Sequence, residues 1–99
     1  MQARYPPEFE REVGCTEAEW LMWLPAAIGD WPTLQAPGAW QVAIDGGSLA
    51  LAWHPMPPRR IALIRLPRLA VSFCFEGVPD DLRHTFMKRF DLYMQRGGG

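Results

Sequence analysis

The chain has 99 residues and a mass of 11.3 kDa, which supplies the core of one domain and no more. Hydrophobic residues make up 48% of it and charged residues 21%, so global disorder is excluded. A net charge of −1 gives no overall attraction to nucleic acid or to an anionic membrane. No apolar run approaches the roughly 20 residues of a membrane span, and no secretory signal is recognisable, so we expect a soluble, cytoplasmic protein with no membrane partner.

The first 14 residues are expected to form an N-terminal arm, because Pro6-Pro7 is incompatible with a helix interior. Glutamates alternate there with other residues from position 8 onward, which allows either a short strand or an extended segment. Thr16-Glu17-Ala18-Glu19 then has the form of a capping box and predicts the start of a helix. Pro25 predicts a kink or an early end of that helix, and residues 33–38 are expected to be a connection.

Residues 40–53 carry the clearest hairpin signal in the chain. Two alternating runs flank Gly46-Gly47, and glycines readily adopt the positive φ angles of a tight hairpin turn. With these two glycines as the loop, Ile44 is opposite Leu49, and the large side chains all lie on one face of the sheet.

Two further strands are predicted after a stiff connection at residues 54–58, one over 59–66 and one over 68–76. A turn at Pro67 would join them, but one long strand bent at Pro67 is the alternative. Asp80 is expected to cap a second helix, and Gly97 to stop it, leaving residues 97–99 as a flexible tail. The predicted fold is therefore α+β, with a four-stranded antiparallel meander between two helices (order α-β-β-β-β-α), in two layers over residues 15–96.

Charge is distributed unevenly along the chain. Residues 1–50 hold two basic and seven acidic residues, whereas residues 51–99 hold eight basic and four acidic residues. Such asymmetry is typical of an anion-binding half, unless the acidic half docks onto it. The candidate anion-binding or partner-binding residues are Arg59, Arg60, Arg65, Arg68, Arg83, Lys88 and Arg89.

The second face of the predicted sheet is made almost entirely of small residues, which allow another element or another subunit to approach closely. A helix or the arm of the same chain is the expected cover, and a homodimer contact is the alternative. The candidate interface residues are Ala43, Ala50, Ala52, Ala62 and Ala70, with Trp31 as a partly exposed aromatic residue in a loop.

Few residues of the chain are candidates for metal ligands or catalytic nucleophiles. The possible ligands or nucleophiles Cys15, His54, Cys74 and His84 form no closely spaced pair, so we expect no metal, no cofactor and no catalytic residues. Both thiols are expected to be unbridged, and Cys74 to be buried. The position of Cys15 before a helix would lower its thiol pKa, although nearby glutamates oppose this effect.

These observations favour a non-catalytic binding or protein-interaction domain, whose partner is another protein or a second copy of the chain. A small enzyme or small-molecule binder that uses Cys15 or a histidine is one alternative. An anion or nucleic-acid binder that uses the basic C-terminal half is the other.

Overall fold

Within residues 5–98, two helices cover one face of a five-stranded antiparallel sheet, which confirms the predicted α+β class. The computed structural model describes the backbone of these residues and the side chains of residues 5–95. In chain order the elements are β1 (Glu8–Val13), α1 (Glu17–Ile28), β2 (Thr33–Ala36), β3 (Ala39–Ile44), β4 (Gly47–Ile61), β5 (Ile64–Glu76) and α2 (Asp80–Gly98). Across the sheet the order is β1-β5-β4-β3-β2, so β2 to β5 form a meander that β1 extends beside β5.

The sheet has five strands and not the predicted four, and two of the predicted strands have different boundaries. The N-terminal segment pairs with β5 as β1, and the expected connection at residues 33–38 contains β2, which pairs with β3. The segment predicted as a strand at 59–66 is divided between the end of β4 and the start of β5, and the segment at 68–76 is the rest of β5. The connection expected at residues 54–58 lies within β4. Short edge strands of this kind are hard to predict because they need little apolar alternation to pair with a sheet that already exists.

The β3–β4 turn consists of Asp45 and Gly46, whose φ angles are 46° and 87°, and not of Gly46 and Gly47. Val42 is consequently opposite Leu49, a shift of two residues that leaves every side chain on its predicted face. Gly47 is required for a different reason, because a Cβ atom there would lie 2.4 Å from the carbonyl oxygen of Gly77. The register is therefore fixed partly by a contact with the distant end of β5.

The β4–β5 turn lies at Ala62 and Leu63, with Ala62 at a φ of 54°. The expected turn at Pro67 is absent, and β5 runs through Pro67 as in the alternative. The alternative of one long strand is nevertheless wrong for residues 59–61, which lie before the turn and belong to β4. Proline is tolerated here because this part of β5 lies beyond the end of β1, where no neighbouring strand requires its N–H group. A register shift between Met56 and Arg59 accommodates the prolines of β4.

The capping box of α1 is confirmed, with the Glu19 amide donating to Thr16 Oγ1 at 3.1 Å. Of the kink or early end predicted at Pro25, the early end is wrong: the helix continues to Ile28, and Gly29 N–H donates to the Pro25 carbonyl at 2.9 Å. Because Pro25 is exposed, water can satisfy the carbonyl that it leaves unbonded.

The second helix departs from the prediction at both ends. Asp80 is the first residue of α2 and not the residue before it. The helix also continues to Gly98, past the stop expected at Gly97. Gly99, the last residue of the predicted tail, lies outside the described residues.

One core lies between the helices and the sheet, on the predicted large-residue face. Trp20 of α1 packs edge-on against Trp53 of β4 and Phe90 of α2, with ring centroids 5.7 and 6.0 Å apart. Phe90 also packs edge-on against Phe73 of β5 at 5.5 Å. These aromatic contacts join both helices to the central strands across one interface between the helix layer and the sheet. The opposite face of the sheet and the far end of the β4–β5 hairpin therefore remain outside the core.

Candidate functional site

The β4–β5 hairpin extends beyond both of its neighbouring strands as a two-stranded ribbon. β3 pairs with β4 only as far as Ala52, and β1 pairs with β5 only as far as Leu69. We call residues 59–66, at the far end of this ribbon, the hairpin tip. Its large apolar side chains are exposed to the extent of 101% for Leu63, 59% for Ile64, 54% for Ile61 and 40% for Leu66. Adjoining exposed apolar side chains of this size are typical of interaction surfaces.

The cross-strand register gives the two faces of the hairpin tip different chemistry. Ile61 is opposite Ile64, and Arg60 is opposite Arg65. Directly opposed residues of an antiparallel pair lie on the same face, and neighbouring residues of a strand lie on opposite faces. One face of the tip, which we call its apolar face, therefore carries Ile61, Ile64 and Leu66, with Arg59 opposite Leu66 at its edge, and the other face carries the adjacent Arg60 and Arg65.

The face of the sheet that is turned away from the helices, which we call the outer face, is continuous with the apolar face of the tip. The alternation along β5 places Ile64 and Leu66 on the same side as Ala70 and Ser72. Within the described residues, no helix or arm covers this face, so the expectation of an intramolecular cover was wrong. Its small members on β2 to β5 are Ala36, Ala39, Ala43, Ser48, Ala50, Ala52 and Cys74. Its larger members are Leu34, Gln41, His54, Met56, Arg68 and Glu76, and β1 adds Glu8, Glu10 and Glu12.

Two of the predicted interface residues lie elsewhere. Ala62 is in the turn of the hairpin tip and not in the sheet. Trp31 is partly exposed, as expected, but it packs against the edge of the core.

The arginines of the ribbon are only partly neutralised by the rest of the chain. No aspartate or glutamate occurs between residues 46 and 75. Glu12 of β1 reaches Arg59 at 3.5 Å and Arg68 at 3.1 Å, which is the docking of the acidic N-terminal half considered from the sequence. Within the described side chains, Arg60 and Arg65 take part in no ion pair.

The remaining predicted basic residues do not join this surface. Arg83 was a candidate binding residue but is only 9% exposed. Its guanidinium donates to the carbonyls of Tyr5 at 2.7 Å and Val78 at 2.9 Å and pairs with Asp80. On the other side of α2, Lys88 is exposed and Arg89 stacks on the ring of Tyr93 and donates to the carbonyl of Ala26. The predicted basic set is thus divided between the ribbon and α2.

The thiols and histidines are dispersed over the molecule. Cys15 is the buried thiol, whereas Cys74 is half-buried on the outer face with Sγ 3.5 Å from Glu8 Oε2, which contradicts its predicted burial. Both are free, as predicted. Burial and, secondarily, the Glu19 carboxylate raise the pKa of the Cys15 thiol, so the lowering by the helix is not dominant. Partial burial and the Glu8 carboxylate likewise raise the pKa of Cys74.

The histidines do not complete a catalytic arrangement with these thiols. His54 is exposed on β4, and His84 of α2 lies with its ring centroid 5.7 Å from that of Tyr5. Among the described residues, no three His, Cys, Asp or Glu side chains are placed to hold a metal ion.

A polar cluster that the sequence did not reveal connects β1 to α2. Tyr5 donates its hydroxyl proton to Asp91 at 2.7 Å, and Arg11 binds the same carboxylate at 3.0 Å while its guanidinium lies over the rings of Phe9 and Phe73. The Asp91 hydrogen bond is the first cause of the raised pKa of Arg11. This cluster anchors the edge strand to α2, because Tyr5 and Arg11 both bind Asp91, which is 80 or more positions away from each of them in the sequence.

In comparisons with known proteins, no protein-family model matches the chain, and no curated protein matches it. In the described part of the chain, no helix is both long and apolar enough to cross a membrane.

Proposed function

We propose that this chain is a non-catalytic protein-interaction domain that binds its partner through the hairpin tip and the adjoining outer face. The observation that supports this proposal is the exposed apolar tip, which lies at the end of a ribbon that extends beyond both neighbouring strands. Removing one large apolar side chain from water on binding stabilises a complex by about 1.5–3 kcal/mol. The tip has four such side chains that are exposed and not part of the core.

The form of the ribbon also supports binding to a macromolecule. A projecting, two-stranded element offers a long and narrow surface and encloses no volume, whereas small molecules are bound mostly in concave pockets. The core beneath the helices is complete without the tip, since the aromatic residues at the base of the hairpin already fill it. The two free cysteines are consistent with a reducing compartment, and we propose the cytoplasm.

A photo-cross-linking amino acid at position 63, introduced in living cells, tests this proposal. Leu63 is the most exposed of the large apolar residues of the tip, so an interacting protein should be captured there as an adduct of discrete mass. The matched control is position 22 on α1, where Met22 is also apolar and is 70% exposed but lies outside the proposed surface. Absence of a protein adduct at position 63, or equal yields at both positions, would contradict the proposal.

Arg60 and Arg65 favour anion binding as a second candidate function. They are exposed, adjacent across the strands and without an ion pair among the described side chains. Phosphate groups of a nucleic acid would suit two such cations. In the same cross-linking experiment, a nucleic-acid adduct at position 63 that is lost on nuclease treatment would replace the protein-interaction function with this one.

A further inference from the structure

We infer that the free edge of β2, together with the groove between this edge and α1, binds an extended basic peptide segment that joins the sheet as a sixth strand. This site uses the edge of the sheet and its helix side, and not the hairpin tip or the outer face, so the inference goes beyond the proposed function. Three features of the described residues support it: outward-facing backbone groups on β2, an apolar groove beside them, and the absence of basic residues from this part of the chain.

The backbone of β2 presents hydrogen-bonding groups at the edge of the sheet. In the described sheet, β2 is the last strand and pairs with β3 alone. Ala43 N–H donates to the Pro32 carbonyl at 2.8 Å, and hydrogen-bonded pairs alternate along an antiparallel ladder. Leu34 therefore turns its N–H and C=O groups towards β3, whereas Thr33 and Gln35 turn theirs to the free edge. An extended chain matches two such residues, because its own N–H and C=O groups repeat at the same spacing.

The two edges of the sheet differ in their protection against added strands. β1, at the other edge, has the sequence EFEREV, and charged side chains discourage strand pairing. β2 has the sequence TLQA, which contains neither a charge nor a proline. The length of β2, four residues, limits an added strand to a short segment. The β2 edge is therefore the one that accepts a short extended peptide.

A groove of about 620 Å³ lies between this edge and α1. On the helix side it is lined by Glu17, Leu21 and Pro25, which are four residues apart and so form one stripe of α1. The sheet contributes Trp40 and Trp53, which are 8% and 6% exposed. The stripe spans about 12 Å and β2 about 13 Å, so the groove and the edge are of equal length.

An added strand would direct part of its side chains into this groove. Gln35 is opposite the buried Trp40, so the Gln35 side chain lies on the helix side of the sheet. Alternate side chains of a strand beside β2 point to that same side, towards Leu21 and Pro25. Leu21 is 38% exposed and offers them an apolar contact. Met22, the control position for the cross-link at the tip, does not line the groove.

The groove lies in a part of the chain that carries acidic residues without basic ones. No lysine, arginine or histidine occurs between residues 12 and 53, whereas four acidic residues do. Trp53 Nε1 donates to Glu17 Oε2 at 2.9 Å, which holds the carboxylate at the groove. Among the described side chains, Glu17 takes part in no ion pair. A lysine or arginine of the peptide would supply the missing cation, so the occupant is basic.

Selection of random decapeptides displayed on phage, with the purified full chain as the target, tests the inference. We expect enriched peptides that combine a lysine or arginine with apolar residues at alternate positions. Fluorescence anisotropy of the synthetic peptides then gives their dissociation constants. A selection that enriches no peptide, or that enriches peptides without a basic residue, would overturn the inference.

Two variants of one residue test the addition of a strand. Gln35→Pro removes an N–H group from the free edge and leaves the hydrogen bonds to β3 in place, so it should weaken binding about fivefold or more. Gln35→Ala retains the N–H group and should bind the peptide within about twofold of the wild type. Circular dichroism confirms that both variants are folded. Binding to Gln35→Pro that equals binding to the wild type would contradict strand addition.

A second pair of variants tests the charge of the peptide. Glu17→Gln retains an acceptor for Trp53 Nε1 but removes the negative charge, so it should weaken binding about two- to fivefold at low salt and less at high salt. Asp45→Asn removes an equal charge in the β3–β4 turn, outside the groove, and should bind like the wild type. Equal effects of the two substitutions would show that Glu17 does not bind the peptide.

Hydrogen exchange of backbone amides locates the bound peptide in the wild-type chain. The amides of Thr33 and Gln35 should become protected on binding, whereas that of Leu34, which faces β3, should change little. Binding without this protection overturns the inference. If Leu63→Asp abolishes peptide binding, the peptide occupies the hairpin tip, so the inference fails and the proposed function stands. Failure of the photo-cross-link at position 63, with the β2 amides protected, overturns the proposed function alone.

Discussion

Replacing Arg83 by methionine should destabilise the fold strongly, although the residue belongs to a set that the sequence assigned to the surface. The side chain is 9% exposed, and two of its donors satisfy backbone carbonyls, those of Tyr5 before β1 and Val78 before α2. Methionine preserves much of the aliphatic packing but supplies no donor, so both carbonyls lose their guanidinium partner. A hydrogen bond to a charged group contributes about 1.5–3 kcal/mol, which gives a loss of about 3 kcal/mol after partial rehydration of the carbonyls.

Urea denaturation followed by tryptophan fluorescence measures this loss. A change of about 3 kcal/mol corresponds to a fall in Tm of roughly 12–24 °C for a domain of this size. Lys88→Met is the matched control, because Lys88 is exposed on the same helix and should change the free energy of unfolding by less than about 0.5 kcal/mol. If Arg83→Met were as stable as this control, Arg83 would not hold the N-terminal segment against α2, and our account of its burial would be wrong.

Further predictions concern the backbone contact at Gly47, the thiols and nucleic acid. Gly47→Ala places a Cβ atom against the Gly77 carbonyl and should cost about 1–3 kcal/mol in urea denaturation, whereas Gly14→Ala, which has open space around it, should not destabilise by this mechanism. In the native protein a thiol reagent should modify Cys74 but not Cys15, and equal reaction rates for the two thiols would contradict the burial of Cys15. The reaction of Cys74 should become faster as the pH rises, because the raised pKa of its thiol leaves little thiolate near neutrality. Fluorescence anisotropy with generic RNA or DNA at physiological salt should show no appreciable binding, and tight binding that weakens steeply with salt would contradict the protein-interaction function.

Features that depend on a few neighbouring residues could be predicted from the sequence. The capping box at Thr16 needs only Glu19 three residues later, and its two hydrogen bonds form as expected. The face of each large residue in the β3–β4 hairpin was also correct, because a register error of two residues changes the pairing but not the side. Local geometry and periodicity therefore sufficed for the helix start, for the existence of the hairpin and for the face on which its large residues lie, but not for its turn residues.

Features that depend on distant contacts could not be predicted. The register of the β3–β4 hairpin is tied to Gly77, 30 positions from Gly47, and periodicity contains no information about that contact. The burial of Arg83 depends on a carbonyl of Tyr5, which is 78 positions away. The β4–β5 turn at Ala62 and Leu63 lacks the glycine or asparagine that usually indicates such a turn, so its position followed only from the pairing of the strands.

The prolines that made the ribbon hard to predict from the sequence also explain how it can project from the fold without promoting aggregation. Beyond β1 and β3, each strand of the ribbon has a free edge, and free edges with unpaired N–H groups recruit further strands. Proline removes an N–H donor, and arginine adds repulsion between stacked copies, so both interfere with pairing through the edge. The ribbon contains both residue types, the prolines being Pro55, Pro57, Pro58 and Pro67. With its edges blocked in this way, the ribbon is left with its apolar face as the surface for a partner, which favours the packing of one face on another over the addition of a strand.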